Sequence, residues 1–268
     1  VGTSAGQLCS GDSNVAVGQT SLAASCGATK CTAVGYESLS ALNAAVESNT
    51  AFGYQSGTAL TALTSGQQCT FLGAEADTSA ATVNNQTAIG YGAETSAVNQ
   101  VRVGNTAVGD IDGQVALTAT SDARVKTDIQ DLSLGLNFIN ALRPVSFTRV
   151  HPADWPEEIR DERYKRGRAV ADEDGNEVIV STSSFNVETQ QPIKEEFDST
   201  TRSDGLIAQE VKAVCENLGV DFNGIKENKN GKMGIQYSLL VAPLIKAVQE
   251  LSSTVENFKT RIEELENG

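Results

Sequence analysis

A short β-prone run ending in glycine recurs along the first part of this chain, and it restricts the fold more than any other feature. The runs are Val-Ala-Val-Gly at 15–18, Thr-Ala-Val-Gly at 32–35, Thr-Ala-Phe-Gly at 50–53, Thr-Phe-Leu-Gly at 70–73, Thr-Ala-Ile-Gly at 87–90 and Val-Arg-Val-Gly at 101–104. Their glycines are 17, 18, 20, 17 and 14 residues apart. Runs this short do not form a stable sheet alone. Stacking one unit on the next pairs the backbones and hides the apolar side chains, as in a β-solenoid. A glycine after each run suits a tight corner or a close backbone approach. A low-complexity Gly/Ser/Ala linker would lack such regular apolar triplets. Bulk is scarce in this thread, whose aromatic residues are Tyr36, Phe52, Tyr54, Phe71 and Tyr91. We therefore expect several chains to wrap together around one shared interior.

Composition changes abruptly near residue 120. Residues 1–120 hold no proline and only two basic residues, Lys30 and Arg102; the remaining 18 of 20 basic residues lie beyond. All five prolines and Trp155 also lie beyond. Two regions of such different usage are expected to fold by different rules, with domains at 1–120 and 121–268. The net charge of −14 argues against a general grip on nucleic acid or anionic membrane. No apolar run approaches the ~20 residues that span a bilayer, so membrane insertion is not expected. The chain begins at Val1 without a methionine, and we read it as part of something longer.

Cys9, Cys26, Cys31, Cys69 and Cys215 are odd in number and show no Cys-x-x-Cys spacing, and His151 is the sole histidine. A zinc site is not expected, nor any cofactor. The thiols read as small core residues of a protein folded in a reducing cytoplasm.

The C-terminus repeats in sevens. Tyr237, Val241, Leu244, Val248, Leu251, Val255, Phe258, Ile262 and Leu265 are separated alternately by four and three residues. That is a heptad seam, with β-branched residues at a and mostly leucine at d, and it predicts a coiled-coil helix over about 238–266. An amphipathic helix packed on its own domain is the alternative. Pro243 is tolerable only if the helix starts close to it.

Between these ends the pattern is mixed α+β. Residues 133–142 have helical spacing, 144–150 alternate as a strand, and Asp174-Gly175 reads as a hairpin turn. Residues 204–220 read as a short strand passing into a helix that stops near Gly219, and 232–237 as another strand. The charged run Pro-Glu-Glu-Ile-Arg-Asp-Glu-Arg-Tyr-Lys-Arg-Gly-Arg at 156–168 reads as a solvated helix or loop.

At the compositional seam stands Ser-Asp-Ala-Arg-Val-Lys, residues 121–126. On residues alone it is a polar loop in which Ser121 or Asp122 caps a turn. The other reading makes Ser121 a nucleophile activated by Lys126 as a free amine. A spacing of five does not bring side chains together on a regular strand or helix, so the pair can meet only across a turn or between chains. Asp122 either holds Lys126 or caps the turn. The Ser121 hydroxyl is next to the Thr120 carbonyl, so attack on the preceding peptide bond needs no diffusion.

The segments Gly-Gln-Val-Ala-Leu-Thr-Ala-Thr-Ser-Asp-Ala-Arg-Val-Lys from 113, Gly-Leu-Ile-Ala-Gln-Glu-Val from 205, and Ile-Gln-Tyr followed by the heptads resemble the C-terminal intramolecular chaperone domain of phage tail fibres and tailspikes, the S74 peptidase family. The resemblance covers about residues 113–268, and the repeats resemble the β-helical stalks found before such domains. It implies an N-terminal trimeric β-solenoid stalk and a C-terminal α+β chaperone domain ending in a long coiled-coil helix. It further implies a homotrimer whose helper domain drives assembly and then acts once as an autoproteolytic serine peptidase. The scissile bond would join Thr120 to Ser121, and the family's Ser-Lys dyad maps onto Ser121 and Lys126. Gln209 and nearby backbone N–H groups are candidates for stabilising the oxyanion. The mature stalk would belong to a virion tail fibre, assembled in the host cytoplasm, and would address a host cell-surface receptor or polysaccharide.

Two rivals remain at this point. One is a structural trimeric adhesin stalk with a coiled-coil clamp and no cleavage. The other is a solenoid that degrades a polysaccharide, which needs paired carboxylates in a groove. The acids of the first 120 residues, Asp12, Glu37, Glu47, Glu75, Asp77, Glu94, Asp110 and Asp112, are scattered among the repeats.

Overall fold

A computed structural model describes the chain apart from residues 25, 26, 44, 60, 166, 172–176, 183, 195, 229 and 268. Contacts divide it into two compact units, one of residues 1–111 with 150–199 and one of residues 112–149 with 200–268.

The glycine-terminated runs become strands β1 (Val15–Val17), β2 (Thr32–Val34), β3 (Thr50–Phe52), β4 (Thr70–Leu72), β6 (Thr87–Ile89) and β8 (Val101–Val103). They stack in sequence order as one parallel sheet. A second, shorter pairing joins β5 (Asp77–Thr78) to β7 (Glu94–Thr95). The result is a β-solenoid of about 5 turns. Register follows the repeat residue for residue: Ala16, Ala33, Ala51, Phe71, Ala88 and Arg102 lie above one another. The central residue of each run faces inward and its two neighbours outward, because side chains alternate across a strand.

The glycines are required by geometry. Gly35 has φ +130°, and a Cβ there would stand 2.2 Å from the Gly53 carbonyl oxygen on the next coil. Two residues beyond each such glycine the chain enters the left-handed region again, at Thr20, Glu37, Gln55, Glu75 and Gly92, with φ between 53° and 57°.

The interior differs from expectation. Leu22, Leu39, Leu42, Leu63, Phe71 and the stacked alanines form a buried cluster within a single chain. The bulk that its few aromatic residues lack is thus present within one chain. The cause is the segment between strands: its leucines turn inward and supply the volume that the strand alanines lack. Asn49, buried, ties adjacent coils by donating to the Gly66 carbonyl at 2.8 Å and accepting from the Cys69 N–H at 3.0 Å. Cys9, Cys31, Cys69 and Cys215 are free thiols, all buried except the half-buried Cys9; Cys26 lies outside the described residues. Burial pushes the Cys31 and Cys69 thiols up. The outward row, including Phe52, Leu72, Ile89 and Val103, is exposed.

Residues 150–199 pack with the solenoid unit. They contain the hairpin of β10 (Arg168–Ala171) and β11 (Glu177–Val180), and the pair β12 (Phe185–Asn186) and β13 (Gln191–Pro192). The turn expected at Asp174-Gly175 lies outside the described residues. The charged run at 156–168 is not simply solvated: Arg163 is 4% exposed and Tyr164 0%. The guanidinium lies over the Tyr164 ring, 4.3 Å from its centroid, and donates to its hydroxyl.

In the second unit α1 (Leu136–Ala141) is followed by β9 (Val145–Phe147), which pairs antiparallel with β14 (Ser203–Gly205). Next come α2 (Ala208–Leu218), stopped by Gly219 at φ +64°, and the hairpin of β15 (Ile225–Glu227) and β16 (Met233–Ile235). A 3₁₀ turn at Tyr237–Leu240 leads directly into α3 (Val241–Glu266). Pro243 falls in the first turn of α3, where its missing N–H would have had no intrahelical acceptor. Leu134, Phe138, Val211, Cys215, Phe222 and Leu240 form this unit's core. Beyond that core, Val248, Leu251, Val255, Phe258, Ile262 and Leu265 are exposed along α3. No helix among the described residues is long and apolar enough to cross a membrane.

Candidate functional site

Residues 111–133 are exposed throughout. Within them one 3₁₀ turn, Ala123–Val125, is held between extended residues on either side. Asp122 is its N-cap: the carboxylate accepts from the Arg124 N–H at 2.8 Å and is gripped by the guanidinium, at 3.0 Å from Nε and 2.6 Å from Nη2. The Arg124 guanidinium and N–H hold the Asp122 carboxyl below the usual carboxylate range. Asp122 therefore pairs with Arg124 and shapes the turn.

The turn closes when the Lys126 N–H donates to the Ala123 carbonyl at 3.2 Å. A 3₁₀ turn advances the chain only ~2 Å per residue, so the residues on its two sides stay within side-chain reach. That brings Lys126 Nζ to 2.8 Å from Ser121 Oγ. A spacing of five, out of reach on a straight element, is bridged by this local geometry. Thr120, whose carbonyl precedes Ser121, is exposed. Gln209 is exposed in the first turn of α2. It makes no hydrogen bond to Ser121 or Lys126 among the described residues.

Chemically, an amine accepts a hydroxyl proton only when neutral, and loss of water favours that form. Ser121 and Lys126 are both exposed. The pair is thus assembled in geometry while still open to solvent.

Elsewhere in the second unit, contacts join segments that are distant in sequence. Glu250 of α3 accepts from the Leu136 N–H at 2.7 Å and so caps α1. Gly135 makes room for it: a Cβ there would stand 2.4 Å from the carboxylate oxygens. The Tyr237 hydroxyl accepts from the Leu206 N–H at 2.8 Å. Arg143 grips Glu210 through Nε at 3.0 Å and through Nη2, which holds the Glu210 carboxyl below its ordinary value. None of these contacts was visible as a motif, because each spans a long interval of sequence.

The model of the peptidase S74 family, described as chaperone of endosialidase, matches residues 121–169. The match starts at the serine of the turn. No curated protein matches the chain. With a β-solenoid ahead of that segment and the long helix α3 later in the sequence, the chain fits a tail fibre with an S74 chaperone domain.

Proposed function

We propose that this protein is an assembly chaperone fused to a fibre stalk, and that it cuts itself once between Thr120 and Ser121. The observation that carries the reading is the 2.8 Å contact of Lys126 Nζ with Ser121 Oγ, at the first residue of the family match. In the reaction Ser121 Oγ attacks the Thr120 carbonyl carbon while the Lys126 amine takes the hydroxyl proton. The tetrahedral intermediate collapses with loss of the Ser121 nitrogen, which receives the proton from Lys126. This N-to-O shift leaves Thr120 esterified to Oγ. One water then hydrolyses the ester, giving a Thr120 carboxylate and restoring the serine hydroxyl. No cofactor takes part.

Assembly precedes the cut. The bare heptad seam of α3 invites other copies of this chain, three by resemblance to the family. Gathering the copies at one end raises their local concentration and sets the register of the stalks. Burial of the turn on assembly would remove water from Lys126 and Ser121, so that cleavage reports correct association. The stalk would then serve a virion tail fibre, assembled in the host cytoplasm, that meets a host receptor or polysaccharide.

A denaturing gel with intact-mass measurement tests this. Self-cleavage yields pieces of 120 and 148 residues (268 − 120), and Ser121→Ala or Lys126→Ala leaves one full-length band. A single full-length band from the fully associated, unaltered protein defeats the reading and leaves a passive stalk with a helical clamp.

A further inference from the structure

Residues 150–199 lie after the proposed scissile bond in the chain, yet they pack with the solenoid that lies before it. Their two ends are drawn together. Lys194 pairs with Asp154 at 2.6 Å, and the His151 and Phe197 rings meet edge-on with centroids 5.2 Å apart. From this closed base the chain carries Arg163 into a small cavity that Gln55, Glu75, Asp77, Gly92 and Glu94 of the solenoid also line.

The cavity is built to receive a cation. Asp77 and Glu94 are register partners on successive coils, and Asp77 is 1% exposed. Glu75 adds a third carboxylate. A guanidinium as buried as that of Arg163 is costly to desolvate unless acids accompany it. The solenoid corner makes the same point independently. Equivalent corner positions hold Thr20, Glu37, Gln55 and Glu75, all at φ between 53° and 57°, and the fifth coil alone holds glycine there, Gly92 at the same φ. The backbone does not demand that glycine, since four non-glycine residues adopt its conformation at the other corners. Space does: a Cβ on Gly92 would stand 3.1 Å from Arg163 Nη1. The guanidinium occupies the room that a corner side chain fills on the other coils.

We propose that residues 150–199 are a clasp, anchored by Arg163, that keeps the 121–268 fragment bound to the solenoid after the backbone is cut. The partner surface is the solenoid's own carboxylate-lined corner at Glu75, Asp77, Gly92 and Glu94. Cleavage then severs the covalent link without separating the pieces, and release becomes a second, slower step. The biological weight of this rests on the self-cleavage reading above, while the binding itself does not.

The test separates the two. Ser121→Ala protein, with the recognition sequence of an external protease placed in the exposed segment 112–120, is cut by that protease and passed over a matrix holding a tag at residue 1. The 121–268 piece is expected to stay on the matrix. Arg163→Glu, and separately Gly92→Gln, which places there the side chain that Gln55 carries at the same corner two coils earlier, are each expected to speed its loss about tenfold or more. Gly92→Gln should leave the solenoid's own melting unchanged, so a folding defect is not the cause. Prompt loss of the fragment from the parent protein overturns the clasp, and so does equal retention in both variants. Neither result bears on whether unaltered Ser121 cuts the chain.

Discussion

The solenoid and the terminal helix are both repeats, yet they treat their apolar residues in opposite ways. The solenoid repeat puts small residues in its strands and leucines between them, and a single chain buries both. Phe71 is 0% exposed. The helix repeat places its apolar residues along one stripe, and beyond its first turns they are exposed among the described residues. Phe258 is 63% exposed. A coil closes on itself because the chain passes every 14 to 20 residues over its own previous turn. A straight helix has no such return path, and its stripe stays exposed from Val248 to Leu265. The difference lies in where apolar surface remains: along the helix seam and not in the solenoid interior.

The comparison breaks most visibly at the helix. Leu251→Asp combined with Val255→Asp is expected to abolish self-association completely, read by sedimentation, while the solenoid keeps its circular-dichroism melt. A protein that stays associated would move the assembly surface elsewhere, for which the exposed outward row of Phe52, Leu72 and Ile89 is the alternative. Next in size, Phe71→Ala should cost the solenoid about 3–5 kcal/mol. Its melting temperature should fall by the same amount at any protein concentration, because the core is internal to one chain. A concentration-dependent loss would restore the idea of an interior shared between chains.

Within the second unit, Gly135→Ala is expected to push the Glu250 carboxylate away from the α1 N-terminus. The loss of that cap should cost roughly 1 kcal/mol, measured by denaturant titration, with Glu250→Ala giving a similar loss. The smallest effect concerns pH. Glu210 has a lowered folded-state pKa through its Arg143 hydrogen bonds, so the unfolded chain binds its proton first as pH falls. The tie contributes above the ordinary carboxylate value of about 4.5 and fades as pH drops through the lower folded value. The pair is solvent-exposed, so the change should be slight, and Arg143→Ala should remove that part of the acid dependence.

Much of the architecture was legible because repeats write their register into the chain. The Gly18, Gly35, Gly53, Gly73 and Gly90 spacing marks the coils, and the 3-4 alternation from Val241 to Leu265 marks the helix. Arg163 was not legible. In the run at 156–168 it looks like any charged residue of a solvated loop, since burial of a charge depends on which acids surround it. Those acids, Glu75, Asp77 and Glu94, looked scattered because they sit on two coils that only stacking brings together. The Ser121–Lys126 contact was legible as chemistry and not as geometry.

By itself the sequence determined the local periods: where the backbone must turn, which side of each strand is small, and where a bare apolar stripe will run. Those follow from covalent geometry and side-chain size, which act over a few residues. Only the tertiary structure decided that leucines between the strands fill the solenoid interior, that Arg163 shares a cavity with acids of earlier coils, and that a 3₁₀ turn joins a lysine to a serine. Such outcomes depend on which distant groups share a space, and burial, charge pairing and steric room have no value until the chain has folded back on itself.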